Sequence, residues 1–416
     1  MSTSGASLSD LGRRALAARR DLGLASTAAK DAALHAAADL LDQRVGDVLV
    51  ANAADVARAE EAGTSATVID RLRLDERRVA AMANGLRDVA ALPDPVGQVV
   101  EGWTRPNGLH IDKVRVPLGV VGIIYENRPN VTSDAAALCI KSGNVAFLRG
   151  SSAAITSNQA IAAVLREGFS KGGLPENSLL LVEDTSRESA VEFMRMRGVI
   201  DCLIPRGGSS LIQAILDNAT VPYVIDGDGN CHVYVDAAAD LDMALDIVRN
   251  AKTSRPSVCN AAESLVVHQA IAHTFLPLAH RALEGVELVG DDQAREHVRE
   301  IGAATDDDFG TEFLDLKMSV AVVGSLDEAI THVNRYGTGH SEAIVTNDLA
   351  AAERFLREVD AAAVLVNAST RFVDGGEFGF GAEIGISTQK LHARGPMGLR
   401  ELTTTKYVVR GSGQVR

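Results

Sequence analysis

The sequence predicts an α/β protein built on parallel sheet with helices on both faces. Three observations carry this. Short apolar runs alternate with helix-period segments from Val116 to Val366. An almost purely helical stretch, Ser7 to about Leu92, precedes them. The segment between, Gly97–Arg115, holds an Asn107-Gly108 pair flanked by alternating apolar residues, the signature of a hairpin. Strand–helix–strand repetition at this spacing belongs to sheets whose parallel strands are joined by crossover helices. A chain of 416 residues, 46% of them hydrophobic, suits two or three packed domains.

Taken in order, Ala28–Arg58 and Leu72–Leu92 repeat apolar residues at helical spacing. Val116–Tyr125 is a continuous apolar run, as in a strand buried on both faces. Helix Thr132–Ser142 then leads to strand Asn144–Leu148, and helix Ser157–Gly168 to strand Leu179–Val182. Helix Glu188–Gly198 leads to strand Ile200–Ile204, and helix Ser209–Ala219 to strand Val221–Ile225. His232–Val235 is one further short strand. A second α/β unit starts near Ala239. It contains helix Leu241–Asn250, strand Ser264–Val267, helix Gln269–Leu283, strand Ser319–Val323 and helix Leu326–Tyr336. Strand Ala343–Val345, helix Ala350–Val359 and strand Ala363–Val366 complete it. Ser369–Gly398 is a Gly-rich loop, and Leu402–Arg410 is a Thr/Val/Tyr strand. That strand has two available partners, the Gly97–Arg115 hairpin or another subunit's sheet.

The net charge of −14 argues against nucleic acid as a partner, since phosphate binding calls for a basic face. No apolar run approaches a membrane span. Met1–Ala17 lacks the apolar core of a signal peptide, and its arginines suit a surface helix. These features predict a cytoplasmic protein. The four cysteines, Cys139, Cys202, Cys231 and Cys259, are far apart and lack CxxC spacing, so reduced thiols and no metal are expected.

One of those thiols stands out. In Lys252-Thr-Ser-Arg-Pro-Ser-Val-Cys-Asn-Ala-Ala-Glu-Ser264, Cys259 sits where a polar loop re-enters an apolar strand. A thiol held there is rigid and still faces a cleft, as covalent catalysis on a carbonyl requires. Arg255 and Lys252 lie just upstream, and a thiolate needs nearby positive charge. The alternative is a buried structural cysteine, the reading that Cys139, Cys202 and Cys231 receive. Gly207-Gly208-Ser209 follows a strand and opens a helix, which makes either a phosphate site at free N–H groups or an ordinary capped turn. Phe147–Ser152 puts Arg149 and Ser151 at the tip of a strand, where ligands of open α/β sheets collect. Arg149 there either meets the 2′-phosphate of an NADP-type ribose or is simply solvated. In Tyr125-Glu-Asn-Arg-Pro-Asn130, the Asn127 amide suits an oxyanion hole, or caps a turn.

Val116–Asn130, Ser142–Ser152, Arg255–Val267, Gly376–Gly385 and Arg394–Lys406 together resemble the aldehyde dehydrogenase superfamily, over nearly the whole chain. The most specific pieces are Tyr-Glu-Asn-Arg-Pro-Asn, Arg-Pro-Ser-Val-Cys-Asn-Ala and Gly-Pro-Met-Gly-Leu-Arg-Glu-Leu-Thr-Thr-Thr-Lys. The resemblance implies an aldehyde dehydrogenase-like fold: a Rossmann-type cofactor domain, an α/β catalytic domain and a small β oligomerisation flap. The implied boundaries are 1–97 and 117–238 for the cofactor domain with its N-terminal helices. They are 239–368 for the catalytic domain, and 98–116 with 388–416 for the oligomerisation strands.

By the same resemblance Cys259 is the catalytic thiol and Asn127 the oxyanion amide. Arg149, Ser151, Gly207, Gly208 and Ser209 would hold NADPH/NADP. Arg128, Arg255, His340 and Ser341 are candidate substrate contacts, with Lys252 a further phosphate contact and Asn367–Arg371 a further substrate loop. Either Glu312 or Asp315 matches the nicotinamide-ribose position. Where hydrolytic members carry a Glu that activates water, this chain has Ile225. A thioacyl intermediate lacking that base resists water and survives to accept hydride or meet phosphate, although Asp226 and Asp228 are close in sequence. The resemblance therefore points to an acyl-phosphate reductase acting on L-glutamyl 5-phosphate in proline biosynthesis. It would work as a homodimer or homotetramer, with glutamate 5-kinase the partner that makes the labile substrate. The rivals are a CoA-acylating aldehyde dehydrogenase and a non-catalytic NADP-binding scaffold.

Overall fold

The computed structural model describes residues 6–416, so the first five residues of Met1–Ala17 lie outside the described residues. The chain divides into two compact units. One comprises Met1–Ile225, Phe380–Gly385 and Met397–Arg416; the other comprises Asp226–Gly379 and Ile386–Pro396.

In the first unit the helical stretch resolves into Leu8–Gly23, Thr27–Gln43, Val45–Glu61, Ala66–Leu72 and Glu76–Ala91. Ser7, Ser26 and Asp75 start three of these by accepting a backbone N–H from the first turn. The helices Thr27–Gln43 and Ile155–Lys171 touch backbone to backbone. A Cβ on Gly168 or Gly172 would fall 2.3 Å from the Ala37 Cα or 2.2 Å from the Ala33 Cα. Small residues on both partners are what permit that approach.

The first unit's parallel sheet has the order Leu179–Leu181, Val145–Gly150, Val120–Tyr125, Cys202–Arg206. Val120–Tyr125 comes first in sequence and has a later strand on each side. The carboxyl ends of Val120–Tyr125 and Cys202–Arg206 therefore flank the switch point at which such sheets bind ligands. A separate antiparallel sheet runs Val99–Thr104, His110–Pro117, Thr403–Arg410. The C-terminal strand thus pairs with the hairpin, one of the two partners open to it.

Two expectations are corrected here. Val116–Tyr125 is not one strand. It is cut at Gly119, whose φ of 132° excludes ordinary side chains, so Val116 and Pro117 belong to the hairpin sheet and Val120–Tyr125 to the parallel one. Val221–Ile225 is not a full strand either. It contributes a single parallel bridge, Leu203 to Tyr223, because Pro222 has no N–H to extend the ladder.

The second unit is a seven-stranded parallel sheet. Its order is Gly302–Ala303, Glu287–Gly290, Lys317–Val323, Ala262–His268, Cys231–Val235, Ser341–Val345, Ala363–Val366. Alternate residues feed two apolar layers. Val233, Val235, Leu265 and Val267 pack with Phe275 on one face, whereas Tyr234, Val266 and Ile344 pack with Phe355 on the other. The strand at His232–Val235, grouped on sequence with the cofactor domain up to 238, is hydrogen-bonded here between two strands of the second unit. The tail, expected as one block over 388–416, is likewise divided, Ile386–Pro396 with the second unit and Met397–Arg416 with the first. The strands at Glu287–Gly290 and Gly302–Ala303 and the short helix between them were not foreseen. Each is too brief to show a period.

Candidate active site

Helix Leu241–Thr253 ends at Ser254, strand Ala262–His268 begins at Ala262, and the connecting turn carries Cys259, half-buried. Several contacts fix this turn. From one flank of the turn to the other, the Lys252 ammonium meets the Glu263 carboxylate at 2.5 Å, both fully buried. Glu263 Oε1 also accepts the Leu314 N–H at 3.2 Å. Burial pushes Glu263 up to about 7, against the pull of Lys252, and pushes Lys252 down. Lys252, expected as a phosphate contact, is thus spent on an internal ion pair at the end of its own helix.

Gly229 packs on the other side. A Cβ there would lie 1.7 Å from the Cys259 carbonyl oxygen, so only glycine fits. The Gly229 N–H donates to Glu312 Oε1 at 2.8 Å, and burial raises the Glu312 carboxyl. Glu312, one of two matches left open on sequence, is therefore one residue's width from the Cys259 backbone. Asp315 instead accepts the neighbouring Leu316 N–H.

The Cys231 thiol donates to the same Cys259 carbonyl at 3.1 Å. Its sulfur is 3.7 Å from His340 Nδ1, which is 2.8 Å from Ser341 Oγ. Cys231, His340 and Ser341 are all 0% exposed. Burial drives the Cys231 thiol well up and His340 down to about 4, so both stay neutral. His340 and Ser341, named on sequence as substrate contacts, thus reach the Cys259 backbone through Cys231 and present no surface to a ligand. The sequence alone gives Cys231 a simply structural role. Its link to Cys259 depends on strand pairing that a lone sequence does not display.

Past Cys259, Asn260 is a hub. Its amide donates to Val373 O at 2.9 Å, its carbonyl accepts from Thr370 Oγ1 at 2.7 Å, and its Oδ1 accepts from Arg371 Nη1. Cys259, Gly229, Cys231 and His340 all collect at the amino ends of the parallel strands, opposite to the usual ligand side of such sheets.

Apart from Arg255, the other candidates lie on the first unit. Asn127 has φ 26°, a strained value that Asn tolerates better than most residues. Its N–H donates to Ser151 Oγ at 3.3 Å, and Ser151 Oγ donates to Asn127 Oδ1 at 2.9 Å. Ser151, expected at the cofactor, therefore orients the Asn127 amide and leaves its NH2 end as the donor. Arg128 follows directly, on the exposed part of the same loop.

Gly207, Gly208, Ser209 and Ser210 are exposed at the start of helix Ser209–Asn218, with open space where a Gly208 Cβ would be. That start fits an anion, and an anion already sits there: Gly208 N–H donates to Glu126 Oε2 at 3.2 Å. Arg149 is 8% exposed and donates through Nη2 to Thr185 O and Ser186 O, at 2.9 and 2.8 Å. It organises the loop after Leu179–Leu181, and burial lowers its pKa. Arg255 is exposed on the Cys259 turn.

The model of the aldehyde dehydrogenase family matches residues 6–310 and 318–408. Gamma-glutamyl phosphate reductase of Clostridium beijerinckii is 57% identical over 407 residues, covering 97% of this chain and 98% of that protein. The crystal structure of gamma-glutamyl phosphate reductase from Thermotoga maritima superposes with a TM-score of 0.97 at 49% identity, covering 98% of this chain and 99% of that one. An acetylating aldehyde dehydrogenase from Geobacillus thermoglucosidasius shares the fold, with a TM-score of 0.69, at 17% identity over 98% of this chain and 97% of that one.

Proposed function

This chain belongs to the aldehyde dehydrogenase family, and from that premise we propose that it reduces L-glutamyl 5-phosphate to L-glutamate 5-semialdehyde and phosphate, the second step of proline biosynthesis from glutamate. The observation that carries the reading is the Cys259 turn. It is half-buried, flanked by the Lys252–Glu263 pair and packed against Gly229 and Cys231, in a chain 57% identical to gamma-glutamyl phosphate reductase of Clostridium beijerinckii.

The Cys259 thiolate attacks the acyl carbonyl carbon. A sulfur–carbon bond forms, the carbon–oxygen bond to the phosphoryl group breaks, and inorganic phosphate leaves. A reduced nicotinamide coenzyme, when bound, supplies hydride. Reduction of the thioester carbon leaves a thiohemiacetal on Cys259, which collapses to the aldehyde and returns the thiolate. Asn127, turned by Ser151 so that its NH2 points away from that hydroxyl, is the proposed amide donor to the oxyanion. Gly207, Gly208 and Ser209 are the proposed seat of the coenzyme's phosphates, because their helix start is exposed and binds a carboxylate already. Arg149 is proposed to favour NADPH through the loop it orders. Ile225, at the place of the hydrolytic glutamate, supports a thioester that outlives water attack.

The decisive experiment is NADP reduction with glutamate-5-semialdehyde. Phosphate should support it and coenzyme A should not, which separates this reading from a CoA-acylating enzyme. Cys259→Ala should keep NADPH binding and lose turnover; retained turnover would end the thioacyl mechanism. No helix of the described residues is long and apolar enough to cross a membrane, and a cytoplasmic enzyme supplied by glutamate 5-kinase fits the proposed pathway. Val99, Val100, Tyr407 and Val409 are exposed on the three-stranded sheet, which supports a homodimer or homotetramer built on those strands.

A further inference from the structure

The loop 367–371 runs past the nucleophile turn with five side chains, most of which are already committed. Asn367 exchanges two hydrogen bonds with the Thr346 backbone, at 2.9 Å each. Ser369 accepts the Arg371 N–H at 3.3 Å as a cap, and Thr370 donates to Asn260 O. Ala368 has nothing polar to offer. Arg371 is different. Its Nε donates to Ser254 Oγ at 3.2 Å and its Nη1 to Asn260 Oδ1. Ser254 is the first residue after helix Leu241–Thr253, and Asn260 follows Cys259. One guanidinium therefore spans the turn that carries the nucleophile, from its entry to its exit.

The partners matter as much as the place. Several other arginines of this unit meet carboxylates: Arg249 with Asp246, Arg295 with Asp292, Arg335 with Asp306, Arg354 with Asp327 and Glu358, and Arg394 with Asp360. Arg371 is held by a hydroxyl and an amide, both neutral. A guanidinium has five N–H donors, of which this one uses two. Its position is fixed, its charge is not offset by those two partners, and it is only partly buried. A rigid cation with a spare donor edge is what a planar anion binds best.

We propose that Arg371 binds an anionic group of the substrate beside Cys259 and braces the Cys259 turn through the same guanidinium. The assignment rests on the reading above, since L-glutamyl 5-phosphate carries two such groups, a phosphoryl group and an α-carboxylate. Bound anion and nucleophile are then referred to one side chain, so a substrate that seats its charge correctly also finds the sulfur in register.

The test uses the full-length enzyme in the oxidative direction, where inorganic phosphate and glutamate-5-semialdehyde are separate substrates. In Arg371→Ala the KM for one of them should rise about tenfold to a hundredfold, as for a lost charge-assisted contact, with the KM for NADP unchanged. A rise for phosphate alone assigns the phosphoryl group, and a rise for the semialdehyde alone assigns the α-carboxylate. Added guanidinium ion should restore part of the loss, and Arg371→Lys should fall between. A fall in kcat with both of those KM values unchanged would reduce Arg371 to a brace and overturn the proposal. Should Arg371→Ala not fold, Arg371→Gln carries the same comparison. A wild-type enzyme without phosphate-dependent NADP reduction would sink the functional reading itself. An active wild type with indifferent Arg371 variants would sink only this assignment.

Discussion

The backbone of Gly229 lies flat against that of Cys259, so that a Cβ on the first would come 1.7 Å from the carbonyl oxygen of the second. Nothing flexible separates them. Gly229→Ala must therefore push the Cys259 turn off its seat. A misplacement of that order lowers kcat by about a hundredfold. Stopped-flow turnover, with NADPH binding as the control for folding, should show the loss in kcat and an unaltered coenzyme Kd. Near-normal turnover would mean that the turn's position is not what sets the rate.

Lys252 and Glu263 should be mutually dependent. Lys252→Met or Glu263→Gln alone strands a buried partner and should destabilise the protein by about 3–5 kcal/mol. The double variant should recover a large share of that loss, since neither group is then left alone. Urea midpoints of the four proteins give the coupling directly, and additive losses would contradict the pairing.

The same pair sets a pH dependence. The folded pKa of Glu263, about 7, lies above its ordinary value of 4.5. The folded state therefore holds the proton more tightly than the unfolded one. Its stabilising contribution is complete below the ordinary value and is lost as pH rises through about 7. Wild-type stability should fall across that window relative to the double variant. A flat difference between the two, measured by denaturant titration at several pH values, would refute the shifted pKa.

Ser151 acts on the reaction through Asn127, if the amide is the oxyanion donor. Asn127→Ala should lower kcat by about a hundredfold to a thousandfold. Ser151→Ala should cause a smaller loss, by freeing the amide to turn. Neither should change how fast iodoacetamide alkylates Cys259. Slowed alkylation in either variant would place the effect on the thiol instead.

Glu126 occupies the helix start that the coenzyme's phosphates are proposed to use. Glu126→Gln removes the competing charge, so NADP should bind more tightly, with the gain largest at low salt. Fluorescence titration measures it, and weaker binding would show that the carboxylate helps rather than competes.

Much of this architecture was legible because its signals are local. Leu326–Tyr336 and Ala363–Val366 fall where their periodicity puts them, and the Asn107-Gly108 hairpin forms as its turn chemistry dictates. Gly119 was harder, because apolar residues continue on both sides of a break made by a single φ. The surroundings of Cys259 were least legible. Gly229, Cys231 and Arg371 are distant in sequence and meet at the turn only through the order of the parallel strands and the loops between them. His340 and Ser341 carried polar labels that suggested ligand contact, and only the packed sheet shows them sealed inside.

The pairing of His110–Pro117 with Thr403–Arg410 has a consequence for biogenesis. On the ribosome the early strand emerges with one hydrogen-bonding edge bare and must wait for the whole stretch 118–402 before its mate is synthesised. Until then it is open to the wrong neighbour. Nascent chains stalled before Thr403 should therefore be the aggregation-prone and chaperone-dependent species, and emergence of Thr403–Arg410 should end that exposure.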